Sequence, residues 1–319
     1  MDITNFFAQN PLVLHGLVIA ASFAILVKSA DMLVFGIDGY AKRMGLSDYL
    51  IGLLIVSLTA SVPEFVAAIT GLVAGDEGIV FGTILGSNIA GITLVLGVFA
   101  LVGRKIKLVN KVLAKMEVLL FFLIMLPFFL GADGTLSRLD GIALVFAYLG
   151  YATMLWMRES KTGHMRKNVQ VKFFWKDALI FLLALGALFL SSRWLVFSSI
   201  TVSNLLNIPT YVMAIVVLGI AASLPDLLVG IRAILEGDVG VGIGNSLGSM
   251  IVKMLLFLGI FALIRPLPVD FGLLKISIGV TIFSLALVMV LSERKEMNWK
   301  HGLFLLMIYI AYLLMETLG

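Results

Sequence analysis

No cysteine occurs among the 319 residues, which excludes disulfide frameworks, thiolate zinc sites, iron–sulfur clusters and cysteine nucleophiles together. Charge is nearly as scarce: 13% of residues are charged and 61% are hydrophobic. A soluble chain carries about 25% charged and about 45–50% apolar residues, and no single water-facing core hides this much apolar side chain without aggregating patches. The three histidines, His15, His164 and His301, have no metal-ligand spacing. No phosphate-binding Gly-x-x-x-x-Gly-Lys-Ser/Thr loop appears, and no other motif calls for a cofactor or an enzyme. The net charge of +4 is explained by membrane topology rather than by nucleic acid, because the basic residues gather in particular loops.

What remains is long apolar runs. A spanning helix needs roughly 20 mostly apolar residues, and ten such runs lie near 11–30, 46–74, 79–102, 112–131, 139–157, 174–193, 209–235, 239–264, 271–291 and 301–318. Stretches such as Val118–Leu130 and Phe181–Leu190 are apolar on every face, unlike the alternating strands of an outer-membrane barrel. The expected fold is an all-α polytopic membrane protein. Pro63 and Pro225 interrupt the second and seventh runs. The N-terminus has no basic stretch or small-residue cleavage site, so the first run is expected to stay as a signal anchor. Seventeen Lys and Arg fall on the side opposite the termini and four (Arg138, Arg193, Arg265 and Lys275) on the same side. By the positive-inside bias, both termini lie outside a cell membrane and the basic 158–173 connection lies in the cytoplasm.

A shift of 162 residues aligns 31–101 with 193–263 without a gap. Ala60-Ser61-Val62-Pro63-Glu64 falls on Ala222-Ser223-Leu224-Pro225-Asp226, and Gly82, Gly86 and Ser87 fall on Gly244, Gly248 and Ser249. Each copy holds five spans, an odd number, so the second enters the membrane from the opposite side. The chain is expected to divide into a first repeat over 1–157 and a second over 174–319. Such inverted repeats build many secondary transporters, whose sites lie near the bilayer midplane at broken helices.

Glu64, Asp226 and Lys253 are ionisable groups in the middle of spans, where each costs at least about 2.5–3.5 kcal/mol. Each acid follows a proline, which removes a backbone donor and frees carbonyls. With Ser61 or Ser223 three residues earlier, the result is an oxygen-rich patch suited to hard cations such as Na+ and Ca2+. The Gly-x-x-x-Gly-Ser stretches let helix backbones approach closely and are expected to bring Ser87 and Ser249 against the carboxylates. Buried structural carboxyls and plain helix packing are the competing explanations.

Ser61-Val62-Pro63-Glu64 with Gly82-Thr83-Ile84-Leu85-Gly86-Ser87-Asn88-Ile89 resembles the first α-repeat of the sodium/calcium exchanger family, roughly G-T-S-x-P-E and G-N-x-x-G-S-N-I. Ser223-Leu224-Pro225-Asp226 with Gly244-Asn245-Ser246-Leu247-Gly248-Ser249 resembles the second. The resemblance places the α-repeats at about 57–91 and 219–253 in a fold of two inverted five-helix repeats. It implies alternating access, with Glu64 and Asp226 ligating Ca2+. Ser61, Ser87, Ser223 and Ser249 would assist with Na+ or Ca2+, and carbonyls near Ser57 and Gly219 would complete the shell. Inorganic cations would be its partners, apart from the lipid bilayer.

The departures fall on the site itself. Ala60 and Ala222 stand where the family usually has threonine, and Asp226 where it usually has glutamate. Gly91 and Lys253 stand where it commonly has Asn or Asp, and Met250 replaces the asparagine after Ser249. Two carboxylates suit Ca2+; adding a charged lysine leaves a single negative charge, suited to one monovalent cation or to proton exchange. Lys253 is therefore expected either to act as a tethered cation beside Glu64 and Asp226 or to form a structural ion pair. The leading function is a cation antiporter exchanging Ca2+ or another cation for Na+ or H+. The alternatives are a monovalent cation/proton antiporter and a transport-impaired paralogue. Lys28 and Asp31, three apart, read as a structural pair.

Overall fold

The computed structural model describes residues 10–43, 57–107, 111–160, 174–237, 239–293 and 296–318. Within them, eight helices are long and apolar enough to cross a membrane, and two shorter apolar helices, Val62–Ala74 and Val118–Asp133, fall on the second and fourth expected spans. All ten expected positions are thus helical. The third span (Glu77–Gly103) and the eighth (Gly242–Ile264) are the most enclosed of the eight. They form the centre of the bundle. Exposed apolar side chains such as Phe122, Phe146, Phe197 and Leu235 face outward from other spans, as a lipid solvent permits.

Several boundaries differ from the expectation. The first and sixth helices run as Pro11–Arg43 and Phe174–Leu206, each 33 residues or about 50 Å long. They outlast the apolar runs that announced them, since apolar residues continue past the charges read as ends. Arg193 therefore lies midway along the sixth helix instead of flanking it. The expected start of the second span at 46–56, the 161–173 part of the basic connection and the side chain of Asp31 lie outside the described residues.

The second span does break beside its proline: a turn at Ser57–Ala60 ends before the helix Val62–Ala74, with Pro63 in its first turn. The seventh does not break at Pro225. Its helix runs unbroken from Ile220 to Glu236, and the irregularity sits earlier, in a π-helical segment at Ala214–Gly219. The third and eighth spans carry π segments at Gly91–Val95 and Val252–Phe257, equivalent under the 162-residue shift. Such π turns recur at functional sites.

Four short strands make the internal symmetry visible. β1 (Lys105–Lys107) pairs antiparallel with β4 (Glu296–Asn298), and β2 (Thr135–Leu136) with β3 (Leu267–Pro268). Under the shift β1 maps onto β3 and β2 onto β4, so the two pairs are mates. Loops can pair only on one side of a membrane, which requires an even number of spans between them. Six lie between β1 and β4 and four between β2 and β3, as ten spans demand. Close backbone contacts repeat the symmetry. A Cβ on Gly97 would lie 3.0 Å from the Gly302 carbonyl, and one on Gly259 would lie 3.0 Å from the Gly141 carbonyl.

Candidate cation site

Glu64 is fully buried in the first turn of its helix, just past the break at Ser61, and Asp226 is fully buried in the equivalent part of the seventh span. The two repeats also meet on bare backbone. A Cβ on Gly86 would lie 3.0 Å from Ile215 Cα, and one on Gly219 would lie 2.9 Å from the Gly86 carbonyl carbon and 3.2 Å from Ser87 N. Only glycine allows the third and seventh spans to approach this closely.

Asp226 is held on both oxygens. Asn245 Nδ2 donates to Oδ1 at 2.9 Å, and Ser249 Oγ donates to Oδ2 at 2.9 Å. Ser249 Oγ also lies 3.1 Å from the Ser246 carbonyl. Ser246 Oγ donates to the Gly91 carbonyl at 3.1 Å, a buried bond between the repeats. Ser223 Oγ donates to the Ile220 carbonyl at 2.9 Å.

The Glu64 side is assembled differently. Lys253 Nζ stands 3.6 Å from Glu64 Oε1, with both side chains at 0% exposure. That distance is an ion pair longer than a hydrogen bond, and neither Glu64 oxygen accepts a hydrogen bond. Ser61 Oγ, Thr83 Oγ1 and both polar atoms of Asn88 are also buried without partners. Lys253 occupies the π segment of the eighth span. At its mate, Gly91, a Cβ would find only Ser246 Oγ within 4 Å, at 3.8 Å; one position is filled by a long side chain and the other is left open.

The sequence-derived set is thus only partly drawn together. Ser249 reaches a carboxylate as expected, but Ser87 does not: its hydroxyl turns to the Ile84 carbonyl at 3.2 Å. Lys253 lies within 4.0 Å of Glu64 but not of Asp226. Ser57, Ala60 and Ala222 are buried and Gly219 forms the backbone crossing, while Lys28 is exposed. Sequence reasoning passed over Asn245, Ser246, Thr83 and Asn88 as site residues. Asn245 had a signal, since it occupies the asparagine of the G-N-x-x-G-S motif. Among the described residues, no group of three or more His, Cys, Asp or Glu gathers as a metal cage. Hydroxyls, amides and carbonyls supply most of the oxygens here.

Two five-span halves of opposite orientation, meeting on a buried polar cluster where one span breaks and three carry π segments, define a secondary-transporter architecture. Residues 14–157 and 176–318 match the family described as sodium/calcium exchanger protein, and the chain belongs to that family of membrane cation exchangers. CaxA of Alkalimonas amylolytica is 26% identical over 306 residues, covering 92% of this chain and 96% of that protein. The sodium/calcium exchanger MaX1 of Methanosarcina acetivorans is 27% identical over 340 residues, covering 93% and 97%. A structure of the sodium-calcium exchanger NCX_Mj soaked with Na+ and Sr2+ superposes with a TM-score of 0.73 at 22% identity, over 94% of this chain and 97% of that one. That likeness carries the fold.

Proposed function

We propose that this protein is a secondary active antiporter that moves Ca2+ or another inorganic cation against Na+ or H+ by alternating access around Glu64 and Asp226. One observation carries the reading: two carboxylates at equivalent positions of inverted repeats are both fully buried, and one of them, Glu64, faces Lys253 of the other repeat at 3.6 Å. A buried carboxylate needs a positive partner, whether a bound cation, a lysine or a proton, and inverted repeats supply two related ways of exposing one site. The oxygen-rich surroundings fit a hard cation. Family membership supports the class of activity. Ser61, Ser223, Ser87, Ser249 and the backbone near Ser57 and Gly219 are the assisting groups in this reading. In this reading both termini lie outside a cell membrane and the 158–173 connection in the cytoplasm, which the bias of the basic loops supports.

A second reading rests on the Lys253–Glu64 pair at 3.6 Å. With Lys253 charged, the three central groups sum to one negative charge. The exchanged ion is then a monovalent cation or a proton, with the ammonium standing in for a second ion. Flux into vesicles reconstituted with the purified protein separates the possibilities. Ca2+ uptake driven by an outward Na+ or H+ gradient at fixed stoichiometry supports the first reading. Na+/H+ exchange without Ca2+ uptake supports the second. Uncoupled dissipation of both gradients, or a folded protein that moves no ion, refutes antiport.

A further inference from the structure

The two buried acids are mates in sequence but not in their surroundings. We infer that Glu64 alone is the exchanging carboxylate, and that Asp226 is a fixed counter-charge clamped by Asn245 and Ser249. This rests on the antiport reading for its physiological meaning, while the binding asymmetry stands on the geometry.

Four pairs of equivalent positions lean the same way. Ser223 is bonded to the Ile220 carbonyl, and its mate Ser61 has no partner. Asn245 donates through Nδ2 to Asp226 and leaves only its own Oδ1 without a partner, whereas its mate Thr83, with a shorter side chain, reaches nothing. Both Ser249 and Ser87 lie against the carbonyl three residues back, but only Ser249 also reaches its carboxylate, at 2.9 Å. Asn88 is buried with both polar atoms unpartnered, and its mate Met250 has no hydrogen-bonding group to leave idle. Native interiors pair nearly all buried polar atoms, so several unpaired oxygens on the first-repeat helices mark a place that a ligand completes.

A cation coming to Asp226 must displace or share two short charge-assisted hydrogen bonds, whereas one coming to Glu64 displaces only the 3.6 Å contact with Lys253. The ligand class that fits is a single desolvated hard cation, Na+ or Ca2+, bound by oxygen. Thr83 and Ser61 supply neutral oxygens on the helices that carry or face Glu64. As the cation arrives, the Lys253 ammonium withdraws from Glu64 and its charge is balanced by Asp226. Positions 83 and 245 therefore decide which acid is free: asparagine immobilises its carboxylate, and threonine leaves its carboxylate open.

The test exchanges these two residues in the full-length protein. Binding of Na+ and of Ca2+ is read by calorimetry and by cation-induced thermal stabilisation in detergent, and transport by vesicle flux. Thr83→Asn is expected to raise the half-saturating concentration of the bound cation about tenfold, the worth of one charge-assisted hydrogen bond. Asn245→Thr is expected to lower it for Ca2+ by about the same factor, because a second carboxylate is released. If Thr83→Asn fails to fold, Thr83→Val is expected to weaken binding and Thr83→Ser to restore it. Asn245→Thr weakening binding as much as Thr83→Asn overturns the inference, as does the absence of any cation binding by the wild type. Binding that follows the expected pattern without exchange in vesicles refutes the antiport reading alone.

Discussion

Glu64 and Asp226 follow prolines at the same point of inverted repeats, yet one acid faces a lysine across 3.6 Å and the other is gripped by two donors at 2.9 Å. Away from the acids the backbone keeps its symmetry, in the mated strand pairs, the mated π segments and the mated glycine contacts, while beside them the second span breaks at Ser61 and the seventh runs on unbroken. Besides that break and the shorter acid at Asp226, the asymmetry lies in the side chains at three further pairs of positions: Thr83 and Asn245, Asn88 and Met250, Gly91 and Lys253. Duplication supplies two equal frames, and a few substitutions make them unequal. The Gly91 and Lys253 pair shows the steric side of this, since the open position lies in one π segment and the long side chain in the other.

The sharpest way to break the comparison is to neutralise each acid in turn. Glu64→Gln removes one partner of a buried ion pair and is expected to cut exchange at least about a hundredfold, measured as initial flux in vesicles. Asp226→Asn keeps one oxygen to accept from Asn245 and offers an NH2 that the Ser249 hydroxyl can accept from, so its loss is expected to be nearer about tenfold. Equal losses would erase the distinction between the acids. Next comes Lys253→Asn, which restores two uncompensated carboxylates and is expected to lower the half-saturating Ca2+ concentration about tenfold or more. Tight wild-type Ca2+ binding that this change leaves untouched would rule out a tethered-cation role.

A glycine comparison follows in magnitude. Gly219→Ala places a methyl 2.9 Å from the Gly86 carbonyl carbon and is expected to destabilise by about 1–3 kcal/mol, seen as a lower melting temperature in detergent. Gly150→Ala, where a Cβ meets nothing within 4 Å, is the control and should not lower it. The smallest effect expected is that of Ser246→Ala. It loses the bond to the Gly91 carbonyl, worth about 1 kcal/mol, by the same thermal measurement.

Much of this was legible from the chain alone. Ten spans, the inverted duplication and the two acids follow from apolar run length, parity of spans and a fixed shift, none of which needs coordinates. Helix ends were less legible, because residues 194–206 carry no further charge beyond Arg193 and a single charge does not stop a helix. The π segments leave no sequence mark distinct from ordinary helix, and strands of two or three residues are too short to show a period. Pro225 misled because the local irregularity sits at Ala214–Gly219, before the proline. The partner choice of Lys253 was beyond reach as well. Sequence placed it near both acids, and only the packing of the eighth span against the second turns it toward Glu64.

The two short strand pairs set limits on how the molecule can rearrange. Each ties a loop of one repeat to a loop of the other, one pair joining the turns beside the third, fourth, ninth and tenth spans and the other those beside the fourth, fifth, eighth and ninth. Six helices are thereby laced together across the repeat boundary, and the halves cannot part as two five-helix bodies. Among the described residues the first, second, sixth and seventh spans carry no such lacing. Glu64 and Asp226 ride on the unlaced helices, while Lys253, Asn245 and Ser249 ride on the laced eighth span. The polar cluster therefore straddles a mechanical seam, and any slippage along it changes the distance between each acid and its partner.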